Sequence, residues 1–464
     1  MGLNKAAVMK VMREVFQRIR FRHDPYSQEN PFRILLLTNR DSDNTGDQVI
    51  EACDISLIRT VMKNIGIGSL HYEVKSCAAA IITKRYMATR DEALLERPRR
   101  LISECDMIIF GGAPLFNYRY QQFYERTALT LELAQEYGKP VIFSAIGVEG
   151  YDEDNPKCQR LKKALNLPCV HQITTRDDID SLMKFKARED LEIRKVADPA
   201  VFAARRFESF DRRKSQNNRR VGIFVIRAHA FIDNGVDFDE HASAMMYVKL
   251  GEELLKRGIA YEFLTSGHFG DEAFLDRLIV QYGVSPARCR FGINKPEDLA
   301  RRISGYDAVV TARLHPSIVS FSYGVPSLGL VWNNKVSYFY ESIGYPERIV
   351  EVENGGVDVI AMADQLEQIM EEGVKKDPDF LVSVYESLFK GIKGVAMPDC
   401  KTKCFDYHKI LKVMRPTIGV SEEEADLKLQ RKSRRTYSTY NELFDKYEAS
   451  KKEISRLKQE LGEK

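Results

Sequence analysis

The sequence predicts an α/β chain of two domains that face one another across a cleft. Three observations lead there. Short apolar runs alternate with helical stretches from Phe32 to Asn333. One charged segment without apolar period, "RRFESFDRRKSQNNRR", divides that alternation. Polar residues collect just after the apolar runs, at one edge of each expected sheet. Strands that alternate with helices fit a mostly parallel sheet covered on both faces. Ligands of such sheets bind outside the carboxyl ends of the strands.

The elements follow in order. "FRILLLT" reads as a buried strand, and Gln48 to Ile65 as the helix after it. "SLHYEVKS" is the next strand, and "RDEALLERPRRLIS" a helix or turn before the strand "CDMIIFGG". A helical "FYERTALTLELAQEYG" leads to the strand "KPVIFSAIGV". "CVHQITTRD" and "EIRKVADPAVF" end strands at charged tips. After the linker a second cycle begins with "VGIFVIR" and runs to "VPSLGLVWN". The expected divisions are 1–30, a basic amphipathic helix; 31–204, a first domain; 205–220, a linker; 221–365, a second domain; and 366–464, a helical extension.

The two ends have their own character. Leu3, Val8, Met12, Val15 and Ile19 recur at helical spacing among Lys5, Lys10, Arg13, Arg18, Arg20 and Arg22. Such a helix packs on the main body or lies on an anionic membrane surface. Charges recur all along it, so it does not read as a signal peptide. Near the other end Tyr447, Ile454 and Leu461 share one heptad position, and Ser450 and Leu457 another. Fewer than three heptads favour an isolated polar helix over a coiled coil, with self-association left open.

Composition excludes several classes. Lys plus Arg number 70 and Asp plus Glu 67, a balance that does not suit nucleic acid. No apolar run approaches the roughly 20 residues that cross a bilayer. Eight cysteines without framework spacing imply a reducing, cytoplasmic compartment. Cys400 and Cys404 are the one close pair and lack the second pair of a zinc site.

Candidate chemistry sits at the strand ends. The loop "DSDNTGD" holds Asn44, Gly46 and Asp47; Gly111 and Gly112 follow "DMIIF". Arg176 and Asp177 follow "HQITT", Arg227 closes "VGIFVI", and Arg313 and His315 close "DAVVTA". Converging guanidinium groups suit a phosphate or carboxylate, and a histidine moves protons near neutral pH. Each residue also has a plain structural reading. A strand-end arginine can be a surface ion pair, the glycines a tight turn, Asp47 a helix cap, and His315 a bonded core group. The first loop has neither G-x-G-x-x-G nor the Lys-Ser/Thr of a Walker loop. Asp47 would repel a phosphate there, so Asn44 and Asp47 read as shaping the loop or meeting hydroxyls.

With these pieces in order, the sequence resembles the polysaccharide pyruvyl transferases. The matching stretches are "NTGDQVI", "IIFGGAPLF", "KPVIFSAIGV", "TTRDDIDSLM", "VADPAVF", "VGIFVIR" and "TARLHPSIVSFSYGVPSLGLVWNNK", over about residues 33 to 342. The resemblance implies two Rossmann-like domains in a glycosyltransferase-B-like (GT-B-like) arrangement. It implies phosphoenolpyruvate as donor substrate, with no cofactor, and a ketal formed across two hydroxyls of a sugar, lipid-linked or on a surface polysaccharide. It makes His315 and Arg313 catalytic. Arg176, Asp177, Arg227, Asn44, Gly46, Asp47, Gly111, Gly112 and Lys335 become substrate-binding, and no metal is required. His315 is the expected acid, and Arg313, Arg227 and Arg176 the expected anion grip. Pro316 replaces the family's usual glycine, Gln48 its usual acid, and "RDSD" is an unusual loop. Two other readings stand beside this one: a nucleotide-sugar glycosyltransferase, and a non-enzymatic scaffold of polysaccharide synthesis.

Overall fold

The computed structural model describes residues 24–118, 123–207, 219–227, 229–353, 355–416 and 422–460. Most of the expected basic N-terminal helix, and 208–218 of the expected linker, lie outside the described residues. Six parallel strands form the first sheet: β1 Phe32–Thr38, β2 Tyr72–Ala78, β3 Met107–Gly111, β4 Val141–Ile146, β5 Val170–Thr175 and β6 Glu192–Lys195, in the order β2-β1-β3-β4-β5-β6. Six more form the second: β7 Arg220–Phe224, β8 Ala260–Leu264, β9 Cys289–Arg290, β10 Ala308–Thr311, β11 Ser327–Leu330 and β12 Ile349–Val350, in the order β12-β11-β10-β7-β8-β9. Counted from β7, that second order is the doubly wound dinucleotide-fold order. The chain is thus two Rossmann-like sheets in a GT-B-like pair.

Burial explains why the strands were legible. Every residue of β3 and β4 is buried, as is all of β1 but Arg33. Parallel strands covered on both faces read as continuous apolar runs. Strand order reverses between β1 and β3 in one sheet and between β7 and β10 in the other. Crevices at such reversals take ligands. The ends of those four strands and the turns and helix starts that follow carry Asn44, Asp47, Gly111, Gly112, Arg227, Arg313 and His315.

The first helix is Thr45–Ile65, three residues longer at its start than the expected Gln48–Ile65. Asn44 causes this. Its side-chain oxygen accepts from the Gly46 amide at 3.2 Å and so caps the helix. Asp47 is therefore not the cap but stands inside the first turn, where the helix dipole favours an acid.

The expected extension at 366–464 is not one appendage. Helix Val359–Glu372 crosses the expected boundary at 365 and packs in the core of the second domain through Met362, Leu366 and Ile369. Helix Pro378–Ala396 returns to the first sheet. There Asn64 Nδ2 donates to the Tyr385 hydroxyl at 3.1 Å, and the Ala197 amide donates to Ser383 Oγ at 2.9 Å. Helix Tyr407–Val413 buries Tyr407 and Ile410 in the same core. Among the described residues, only the last helix, Glu422–Glu460, stands largely clear of the body. All eight cysteines are free thiols. Among the described residues, no helix is long and apolar enough to cross a membrane.

Candidate active site

The two sheets meet through their carboxyl ends at the Asn44 loop. The Thr45 amide donates to Ser266 O at 2.8 Å, and Thr45 Oγ1 donates to Ile293 O at 2.8 Å. His315 comes from the other domain, in the first turn of helix Leu314–Tyr323. Pro316 also lies in that first turn, where a missing N–H has no intrahelical partner to lose. The departure at Pro316 therefore leaves the helix start intact.

His315 rests on Gly46. A Cβ at Gly46 would lie 2.2 Å from His315 Cβ and 2.3 Å from its ring. Only glycine permits this approach. Gly46→Ala is expected to displace the imidazole and to cost about 1–3 kcal/mol by overpacking. A denaturant midpoint unchanged from the parent would contradict the packing described.

The ring is held in one tautomer. Asn44 Oδ1 is taken by the Gly46 amide, so Nδ2 is the atom that faces His315 Nδ1, at 3.1 Å. Nδ1 accepts, and the proton of the neutral ring sits on Nε2. Nε2 has no hydrogen-bond partner among the described residues and lies 3.9 Å from Asp47 Oδ1. Burial, then the cations Arg176, Arg313 and Lys335, drive the imidazole pKa well below its usual value. The ring is thus neutral at physiological pH.

Asp47 is the titrating member. Burial raises its carboxyl to about 6, although Ser42, Asn39 and two arginines pull the other way. Asn39 Nδ2 donates to Asp47 Oδ2 at 3.0 Å, which leaves Oδ1 towards His315. A carboxyl near pH 6 can both hold and release a proton under neutral conditions.

The arginines are less free than their strand-end positions suggested. Buried Arg176 donates through Nη1 to Asp198 and lies 3.7 Å from Asp177 Oδ1. Arg313 forms a two-point pair with Asp271, Nε to Oδ2 at 2.8 Å and Nη2 to Oδ1 at 2.6 Å. Arg227 is partly exposed at the rim and donates to Asp233 at 2.9 Å. The three therefore do not form one open anion grip. Arg176 and Arg313 set the field at Asp47 and His315, while the Arg227 guanidinium is paired with Asp233. Lys335, in the first turn of Asn334–Ser342, places its cation near both Asp177 and His315.

Gly111 and Gly112 serve packing between β3 and the first helix. A Cβ at Gly111 would lie 2.3 Å from Asp54 Oδ2, and one at Gly112 would lie 2.1 Å from Ile50 Cγ2. Asp54 is a residue that sequence reasoning missed. Both its carboxylate oxygens are buried without a partner among the described residues, and burial, with Asp198 nearby, raises its pKa well above the carboxylate range. A signal was available: Asp54 lies seven residues after Asp47, on the same core-facing side of the helix. Asp198 and Asp271, the partners of Arg176 and Arg313, were also missed. Asp271 is fully buried and also accepts from the Arg227 amide at 2.9 Å. Nothing in its local sequence pattern marks it.

Polar atoms left over inside the fold point to a ligand or water site. His315 Nε2, Arg176 Nε, Asp177 Oδ2 and Asp54 Oδ1 and Oδ2 are all of this kind. Among the described residues, no group of three or more His, Cys, Asp or Glu is placed to hold a metal.

A family model described as polysaccharide pyruvyl transferase matches residues 10–334. No curated protein matches the chain. Among solved structures, a protein assigned as a UDP-N-acetylglucosamine 2-epimerase from Listeria monocytogenes is similar in fold at 12% identity, with a TM-score of 0.51, over 81% of this chain and 99% of that one. A UDP-GlcNAc 2-epimerase from Methanocaldococcus jannaschii reaches 10% identity and a TM-score of 0.47, over 77% and 98%. A UDP-glucosyltransferase from Polygonum tinctorium reaches 9% and 0.41, over 84% and 98%.

Proposed function

We propose, from the premise that this chain belongs to the polysaccharide pyruvyl transferase family, that it moves pyruvate from phosphoenolpyruvate onto two hydroxyls of a surface-polysaccharide sugar. The chain is a GT-B-like transferase of polysaccharide biosynthesis. The donor and the acceptor are the proposed part. The observation that carries the reading is the convergence of the two family motifs on one point, with His315 seated on Gly46 beside Asp47.

The roles follow from the protonation states. A neutral His315 that carries its proton on Nε2 is a hydrogen-bond donor rather than the acid expected from the family resemblance. It would donate to an oxygen of the leaving phosphate. Asp47 would move protons instead. The enol methylene of the donor takes one proton and becomes a methyl group. A sugar hydroxyl adds to the central carbon, the carbon–phosphate oxygen bond breaks, and a second hydroxyl closes the ketal. Of the two hydroxyl protons, one replaces that given to the methylene and the other leaves with phosphate. Lys335 and the free edge of Arg313 would face the donor's charged groups.

A second reading is transfer of a sugar from a nucleotide-sugar donor, for which the fold likeness to the protein assigned as a UDP-N-acetylglucosamine 2-epimerase from Listeria monocytogenes is the support. Calorimetric titration with phosphoenolpyruvate and with a panel of nucleotide sugars separates the two. Phosphoenolpyruvate binding, together with a drop of about 10²–10³ in transfer rate for His315→Ala, is the expected result. Tight binding of a nucleotide sugar with none of phosphoenolpyruvate would establish the second reading. Mass analysis of surface-glycan fragments from cells with and without the protein should differ by one pyruvate ketal. Glycans that keep that mass in cells carrying only the Arg313→Ala, His315→Ala double variant would favour a scaffold.

A further inference from the structure

The last helix, Glu422–Glu460, is anchored at one end and free at the other. Arg431 and Arg435 pair with Asp41 and Asp43 at 3.1 and 3.0 Å, so the unusual "RDSD" loop is the seat of this helix. Lys432 reaches Glu272 at 3.3 Å and Asn294 at 2.7 Å in the other domain. Beyond Thr436 every described residue is exposed apart from Glu448. At ~1.5 Å per residue, that free arm projects roughly 35 Å.

The arm carries an apolar stripe. Tyr440, Leu443, Tyr447, Ile454 and Leu457 are 63%, 57%, 58%, 54% and 44% exposed. Tyr440, Tyr447 and Ile454 recur every seven residues. Leu443, Ser450 and Leu457 follow each of them by three. That is the seam pattern of a coiled coil, and a stripe of this kind marks an interaction surface. Residues 440–460 hold five acids and five bases. A helix that lies on an anionic membrane has a basic polar face, which this one lacks.

The stripe is complementary to itself in one direction. We propose that it binds a second copy of this chain as an antiparallel two-helix coiled coil. In that register Tyr440 meets the partner's Leu457, and Leu443 meets the partner's Ile454. Tyr447 meets the partner's Ser450, whose small side chain leaves room for the ring. Lys446 faces the partner's Glu453, and two-fold symmetry makes the pair twice. Phe444 faces the partner's Lys451, whose stem and charge suit an aromatic face. A parallel pair would instead set Lys446 against the partner's Lys451 and Ser450 against the partner's Ser450.

Sedimentation equilibrium of the full chain, from low to high micromolar, tests this. A reversible dimer is expected. Lys446→Glu and Glu453→Lys should each weaken it about tenfold, and the double variant should return to within about threefold of the parent. A monomer across the whole range overturns the proposal. So does a dimer that Leu443→Glu leaves intact. A dimer that Lys446→Glu strengthens is the parallel outcome and overturns it too. Uptake of a monomeric chain by anionic phospholipid vesicles would assign the stripe to a membrane and likewise overturn it.

Discussion

Replacing Asp47 with Asn is expected to stabilise the protein by about 3 kcal/mol above pH 7 while abolishing proton transfer at the site. The reason is linkage. Burial raises the Asp47 carboxyl from 3.8 in the unfolded chain to about 6 in the folded one. The folded state therefore prefers the protonated form. Its advantage is complete below the unfolded value and is lost as pH rises from about 4 through about 6. Above that range the buried carboxylate is a net cost, which Asn lacks. The Asn39 bond can be kept, since an amide oxygen accepts as well as a carboxylate oxygen. Denaturant midpoints of parent and variant should differ most above pH 7 and converge near pH 4. An equal difference at both ends would refute the raised carboxyl. His315 works in the opposite sense. Its pKa is lowered on folding, so its contribution is lost as pH falls below the ordinary imidazole value. Comparing parent with variant at each pH isolates Asp47 from that background.

Asp271→Ala should be the most destabilising single change at the site, at about 3–5 kcal/mol. The carboxylate is fully buried and holds Arg313 at two points. Removing it leaves a guanidinium with 14% side-chain exposure and no other ion-pair partner among the described residues. The variant also takes the acceptor from the Arg227 amide. Asp271→Ala with Arg313→Met should recover part of the loss, because an apolar side chain leaves no charge uncompensated. A single variant that loses less than about 1 kcal/mol would show the pair to be solvated and the field at His315 to have another source.

The strand-end residues show how far local pattern reaches. Asn44, Asp47, Arg176, Asp177, Arg313 and His315 were placed on one edge because each follows an apolar run, and parallel strands end on one side. What each does there was not legible. Arg176, Arg227 and Arg313 looked equivalent in the sequence. In the fold one is buried between two carboxylates, one is at the rim, and one is locked to Asp271. His315 looked like an acid because an isolated imidazole titrates near neutral pH. Its burial beside three cations lowers its pKa well below that value, while burial raises Asp47 to about 6. The helices after 366 looked like an appendage because an amphipathic helix records that one face is buried, and never against what.

The sequence by itself determined the two parallel sheets, the family and the edge on which the candidate site residues lie. Those are consequences of periodicity and of residues near one another in the chain. Only the tertiary structure decided the partners: Asn44 and Gly46 under His315, Asp271 under Arg313, and the last helix on Asp41 and Asp43. Charge states depend on desolvation and on neighbours hundreds of residues away. Both exist only once the chain has folded.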